Sequence, residues 1–261
     1  MNLGLEGRTA LVVGGGGGLG GAVARALARE GARVVVAGRD QAALAGTVEA
    51  VAADNGEAFA TQLDLTDPAL LDSAVEATQS RYGEVEILFN NSGGPPPSTA
   101  AGQPAELWRA QFEAMVLGVI ALTDRVLPAM RLRGWGRIIT NTSSGIVAPI
   151  PNLAISNSLR LSLVGWSKTL AGEVASDGIT VNVVIPGRID TGRVRQLDEA
   201  RAGRDGTTAA AVAAASAASI PVGRYGHPEE YAAAVTFLAS TQASFITGTT
   251  LRVDGGQVPS I

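Results

Sequence analysis

The chain has 261 residues and a formal net charge of −4, with 46% hydrophobic and 17% charged residues. Those proportions suit a folded globular protein, and the mild negative charge argues against nucleic acid or an anionic membrane as a partner. There is no cysteine, so disulfides, thiol nucleophiles and cysteine-held zinc are excluded, and no metal site is expected. Residues 1–8 lack a basic-then-apolar leader, and no uninterrupted apolar run reaches the ~20 residues a bilayer needs. The reading is a cytoplasmic protein.

Groups able to move a proton near neutral pH are scarce. His227 is the only histidine and Lys168 the only lysine, and the tyrosines are Tyr82, Tyr225 and Tyr231.

The first apolar run, Arg8–Val13, predicts a strand, and Leu19–Glu30 predicts a helix. Between them lies Gly14-Gly15-Gly16-Gly17-Gly18-Leu19-Gly20. A strand, a glycine turn and a helix form the arrangement that binds a dinucleotide pyrophosphate. The glycines let main-chain N–H groups approach the phosphates, and the helix start carries partial positive charge. Further strands are expected at Arg33–Ala37, Ala58–Leu63, Val85–Phe89, Arg137–Thr140, Thr180–Ile185 and Thr250–Val253. Helices are expected at Gln41–Ala53, Pro68–Tyr82, Ala105–Leu132 (interrupted by Pro128), Leu153–Ala175 and Pro228–Leu238. This alternation predicts an α/β fold: one Rossmann-type, doubly wound parallel sheet with helices on both faces, in a single domain over residues 1–261. Asp190–Pro221 break the pattern, with polar residues first and then the alanine run Thr208–Ala218. A connection of that length is expected to be a substrate loop or lid over 190–221.

Ligands of such sheets lie at the carboxyl ends of the strands, so residues just after each strand carry the information. After the second strand comes Gly38-Arg39-Asp40. An acidic residue ending that strand would grip a ribose 2′-OH; here Arg39 suits a 2′-phosphate, which favours NADP(H) over NAD(H). Asp64 and Leu65 are placed to meet the adenine. Asn90-Asn91-Ser92-Gly93 follows the fourth strand, where paired asparagines can bond the strand backbone and line the cofactor.

These motifs together resemble the short-chain dehydrogenase/reductase family over nearly the whole chain. The family's threonine-glycine-x-x-x-glycine-x-glycine motif matches Val13-Gly14 through Gly18-Leu19-Gly20, with valine for threonine. Its asparagine-asparagine-alanine-glycine motif matches Asn90-Asn91-Ser92-Gly93. Its proline-glycine motif matches Pro186-Gly187, with Ile189 and Thr191 where the family holds the nicotinamide carboxamide. Arg224-Tyr225-Gly226, Pro228-Glu229-Glu230 and Val253-Asp254-Gly255-Gly256 match later signatures. The resemblance implies NADP(H) chemistry on a small-molecule substrate, and a homo-oligomer, dimer or tetramer, built on the helices Ala105–Leu132 and Leu153–Ala175 and the C-terminal strand.

The resemblance fails where the family keeps its asparagine, serine, tyrosine and lysine tetrad. Ser143 matches the serine. The tyrosine position holds Ser156, the lysine position Arg160, and the asparagine position Met115. Register does not rescue the pattern, because Val164 stands four residues before Lys168 and no tyrosine lies between Tyr82 and Tyr225. A serine hydroxyl is too weak an acid to replace an activated tyrosine. Arginine keeps its proton in proteins, yet it stabilises developing negative charge and can bond a ribose hydroxyl. The candidate catalytic set is Ser143, Ser156 and Arg160. The candidate cofactor set is Gly14, Gly17, Gly18, Leu19, Gly20, Arg39, Asp64, Leu65, Asn91, Gly93, Arg160, Pro186, Gly187, Ile189 and Thr191.

Met115 reads as core packing, Asn157 as a polar neighbour of the site, His227 as a helix cap and Asp190 as structural. The alanine-rich lid suggests an apolar or bulky substrate. The favoured activity is an NADP(H)-dependent oxidoreductase acting on a carbonyl, alcohol or imine. The alternatives are an inactive NADP(H)-binding sensor or assembly subunit, and a lyase or dehalogenase on the same fold.

Overall fold

The computed structural model describes residues 2–260. Among them, seven parallel strands form one sheet in the order β3-β2-β1-β4-β5-β6-β7. The strands are β1 (Thr9–Val13), β2 (Arg33–Gly38), β3 (Glu57–Gln62), β4 (Ile87–Asn90), β5 (Gly136–Asn141), β6 (Ile179–Pro186) and β7 (Thr250–Val253). The order reverses between β1 and β4, which creates the crevice where such sheets bind ligands.

The central strands are nearly continuous apolar runs because both sheet faces are covered. Side chains alternate across them. Ala10 and Val12 of β1 join a core with α1 (Gly18–Arg29), α2 (Gln41–Ala53) and α9 (Pro228–Ala239). Leu11 and Val13 join the opposite core, with α3 (Pro68–Tyr82), α5 (Gly118–Arg133) and α6 (Ala154–Val174). This period of two is the strand's own geometry, and it assigns each helix a face.

Two expectations are corrected. The expected helix Ala105–Leu132 is present as a continuous helical run, α4 (Ala105–Phe112) and α5 joined by a π-helical turn, Glu113–Leu117; the irregularity lies at that turn, while Pro128 stays inside α5 and does not interrupt it. The wide turn is followed by Gly118, which lies directly against the Leu65 carbonyl oxygen, where a side chain would have no room. Residues 190–221 are mostly helical: α7 (Gly192–Asp205) and α8 (Ala209–Ala218). Alanine is the strongest helix former, and Thr208 caps α8 by accepting a hydrogen bond from the Ala211 N–H. Strand ends also shift by one or two residues, with β3 covering Glu57–Gln62 and β4 ending at Asn90. Among the described residues no helix is long and apolar enough to cross a membrane.

The turn between β1 and α1 depends on glycine at two positions above all. Gly17 caps α1 at φ 135°, a backbone conformation that side chains rarely tolerate. Gly20 packs its α-carbon onto the Gly14 carbonyl, so an added methyl group would collide with main chain. Gly20→Ala is therefore expected to cost about 1–3 kcal/mol of stability, the usual range for overpacking, read as a lower denaturation midpoint in urea with an unchanged slope.

Candidate functional site

A cleft of about 960 Å³ runs along the carboxyl edge of the sheet. At one end, Arg39 follows β2, and Asp64 and Leu65 follow β3. Asp40 is occupied in capping α2 through the Ala43 N–H at 3.0 Å. The Asp64 carboxylate accepts from the Thr66 N–H at 3.0 Å and the Thr66 hydroxyl at 2.8 Å. Those bonds, helped by Arg39, hold its pKa below the usual carboxylate range, so it stays ionised. Arg39 makes no ion pair among the described residues.

Gly14, Gly17, Gly18 and Leu19 line the middle of the cleft. A side chain at Gly17 would meet nothing within 4 Å, and Gly18 has only the Thr191 side chain nearby, at 3.7 Å. The turn thus presents open main chain at the start of α1, a cradle suited to an anionic phosphate bridge. Gly20 does not line the cleft; its part is the close packing described above.

At the other end stand Ser143, after β5, and Ser156 and Arg160, one turn apart on α6. Four residues separate the last two, so the helix presents both on one face. Pro186, Gly187, Ile189 and Thr191 form the opposite wall after β6. The Thr191 hydroxyl caps α7 by accepting from the Val194 N–H. Asn91 and Gly93, after β4, complete the lining. Ser143 takes a capping role, its hydroxyl accepting from the Gly145 N–H at 3.2 Å, which leaves its own O–H to donate elsewhere.

Arg160 is only 5% exposed. Its Nη1 donates to the Asn141 carbonyl at 3.3 Å, and its Nη2 donates to those of Ser92 and Gly93 at 3.3 and 3.0 Å. Burial lowers its pKa to about 10, so it remains a cation at neutral pH. Beneath it runs a relay. The Tyr231 hydroxyl donates to the Asn141 side-chain oxygen at 2.8 Å, and the Asn141 amide donates to the Asn91 side-chain oxygen, also at 2.8 Å. Burial raises the Tyr231 pKa, against a smaller opposing pull from Arg160. The Ser92 hydroxyl is buried with no partner.

A family model described as enoyl-(acyl carrier protein) reductase matches residues 14–257. The 3-oxoacyl-(acyl-carrier-protein) reductase FabG of Salmonella typhimurium is 39% identical over 254 residues, covering 96% of this chain and 97% of the relative. The chain belongs to the short-chain dehydrogenase/reductase family. That places it among oxidoreductases. Two solved structures share the architecture. L-Sorbose reductase from Gluconobacter frateurii, complexed with NADPH and L-sorbose, has a TM-score of 0.94 at 31% identity, covering 100% of both chains. An actinorhodin polyketide ketoreductase with NADPH has a TM-score of 0.92 at 33% identity, covering 96% of this chain and 97% of that one.

Other residues have different tasks. Met115, expected from the sequence as core packing, is 1% exposed, packs with Val116, Ile155, Leu159 and Leu163 and lines the cleft. Asn157 turns to the loop before α6, its amide donating to the Ile150 carbonyl at 3.0 Å. His227 stands at the N-cap of α9, where its main-chain N–H donates to the Glu230 carboxylate at 2.7 Å. Asp190 pairs with Arg195 at 2.5 Å. Sequence reasoning missed three contributors: Asn141, Tyr231 and Arg193. Arg193 lines the cleft from the first turn of α7 and donates to the Pro95 carbonyl at 2.9 Å. Its position two residues after Thr191 was the available signal. Tyr231 lies 90 residues from its partner Asn141, and no spacing rule connects them.

Tyr231→Phe removes the hydroxyl and leaves the Asn141 oxygen buried without that donor. The expected loss is about 1–3 kcal/mol of unfolding free energy, measured by urea denaturation, and Asn141→Ala combined with it should cost less than the sum of the two.

Proposed function

We propose that this protein is an NADP(H)-dependent oxidoreductase that moves hydride to or from a carbonyl, alcohol or imine carbon with a non-standard acid/base set. The observation that carries the reading is that one cleft joins an open glycine turn and Arg39 at one end to Ser143, Ser156 and Arg160 at the other. The solved relatives named above were obtained with NADPH, in keeping with Arg39 as the group for a 2′-phosphate.

Gly14, Gly17, Gly18 and Leu19 would hold the pyrophosphate, and Asp64 and Leu65 the adenine. Asn91, Gly93, Arg160, Pro186, Gly187, Ile189 and Thr191 would hold the nicotinamide half. When bound, the cofactor supplies or accepts the hydride. The chain's own part is orientation and charge. In reduction, the Ser143 and Ser156 hydroxyls donate hydrogen bonds to the substrate oxygen, and the fixed cation of Arg160 stabilises the negative charge that develops there. None of the three surrenders a proton readily, so water protonates the alkoxide. An iminium needs no proton at all, because hydride addition yields the neutral amine. The residues 190–221 serve as the lid. The chain is read as a homo-oligomer, and exposed apolar side chains at Phe112, Leu117 and Leu161 support an assembly face beside α4–α6.

Stopped-flow absorbance of NADPH, run across ketones, activated carbonyls and imines, tests the reading; tight NADPH binding with no oxidation by any of these classes would overturn it. Arg39→Glu should weaken NADPH while sparing NADH, a loss of roughly tenfold or more expected for a charge-assisted phosphate contact. Replacing Ser156→Tyr and Arg160→Lys together should raise turnover of simple ketones by about 10²–10⁴-fold, the usual contribution of a positioned general acid.

A further inference from the structure

Three arginines line the cleft, Arg39, Arg160 and Arg193, and none forms an ion pair among the described residues. Arg39 stands at the far end, with Asp40 and Asp64, the two acidic residues of the lining. The other end therefore holds two cations and no carboxylate among its described residues.

Arg160 and Arg193 grip the same stretch of chain after β4. Arg160 donates to the carbonyls of Ser92 and Gly93, and Arg193 to that of Pro95. Between them, a side chain at Gly94 would come within 3.1 Å of the Arg193 guanidinium. The two charges lie close enough that Arg193 opposes the ionisation of Arg160. Like charges this near in a partly dry site are costly unless an anion sits with them.

The fold contains a control for this reasoning. Arg137 is also buried, at 2% exposure, and is also held by main-chain carbonyls, those of Ser240, Gly136 and Gly178. Its guanidinium lies 4.4 Å from the centre of the Trp135 ring, and it does not line the cleft. That is how this chain satisfies an arginine with a purely structural task. Arg160 has carbonyls, no aromatic face among the described residues and an opening to the cleft; each of the two has another arginine nearby, but Arg8 beside Arg137 is paired with Glu86, whereas Arg193 beside Arg160 has no carboxylate partner among the described residues. The Arg160 guanidinium carries five N–H donors, of which the three bonds above use only some.

We propose that Arg160 and Arg193 form a subsite for a carboxylate on the substrate, so that the compound reduced is an oxo acid with its anionic group near the carbon that accepts hydride. This rests on the hydride-transfer reading above and adds the substrate's charge to it. Met115, Ile150, Leu153 and Leu197 line the same end, which suits an apolar body behind the acidic head. Planar guanidinium groups match a carboxylate in bidentate geometry, and a neutral ester offers neither the charge nor the second strong acceptor.

The test compares phenylpyruvate and benzoylacetate with their methyl esters as substrates of the full chain, with NADPH affinity measured separately by fluorescence. The expected result is a preference for acid over ester of at least about tenfold in kcat/KM, as for a site built to bond a group the analogue lacks. Arg193→Gln should abolish that preference by lowering the acid's value alone, with NADPH affinity unchanged, and Arg193→Lys should retain part of it. Equal or better turnover of the esters would overturn the proposal and leave hydride transfer standing. So would an Arg193→Gln variant that weakens NADPH and both substrates alike, since Arg193 would then belong to the cofactor. If NADPH binds and nothing is turned over, hydride transfer is the reading that fails. The subsite is then judged by calorimetry with phenylpyruvate and its ester on NADP⁺-loaded protein. Acid-selective binding lost in Arg193→Gln supports it, and equal or absent binding of the two overturns it.

Discussion

Arg160 is a cation placed where water is excluded, and three main-chain carbonyls hold it there. Removing a charge from water is expensive, so a buried guanidinium must be surrounded by acceptors. Here the acceptors are two residues just past β4 and the last residue of β5, and α6 is thereby fixed to the carboxyl edge of the sheet. Asn141, whose carbonyl takes one of these bonds, uses its side chain to connect Tyr231 with Asn91. Asn91 in turn packs against the glycine turn, so closely that a side chain at Gly14 would stand 2.7 Å from its amide nitrogen. The end of the cleft that holds Arg160 and the glycine turn are therefore linked through continuous contacts.

The cleft divides by charge. The end after β2 and β3 holds the Arg39 cation near carboxylates already committed to local turns, Asp40 to α2 and Asp64 to Thr66. The other end is hydroxyls, apolar side chains and two arginines. An ordinary acid catalyst must hold and release a proton near neutral pH. Nothing among the described lining of that end does so, and what remains is positioning and a fixed positive field. The proposed hydride transfer accordingly draws on charge stabilisation more than on proton delivery.

Much of the fold was legible in the sequence. Strands buried on both faces must be apolar throughout, and helices between them must show one apolar side, so the alternation in this chain leaves little choice of architecture. That Arg39, Asp64, Leu65, Asn91 and Gly93 would line one cleft was also legible, because they sit at fixed offsets after strands. The segment 190–221 was less so. A polar stretch followed by alanines reads as a broken pattern, yet propensity and the caps at Thr191 and Thr208 make two helices of it. The break in the helix after residue 105 was misplaced to Pro128, since proline is a visible signal and the crowding of Gly118 against Leu65 is a tertiary one.

The sequence by itself determined the sheet, the glycine turn, Arg39 and the presence of Ser156 and Arg160 one turn apart on a helix, because each follows from local periodicity, turn chemistry or a motif. Only the tertiary structure decided what surrounds them. It brought Tyr231 beneath Asn141, turned the Asn157 amide toward Ile150 and set Arg193 beside Arg160 with no carboxylate between them among the described residues. The physical reason is that a charge's environment is made by whichever segments fold against it: Tyr231 lies 90 residues from Asn141, and Ser92 lies 68 residues from Arg160, separations that no local rule spans.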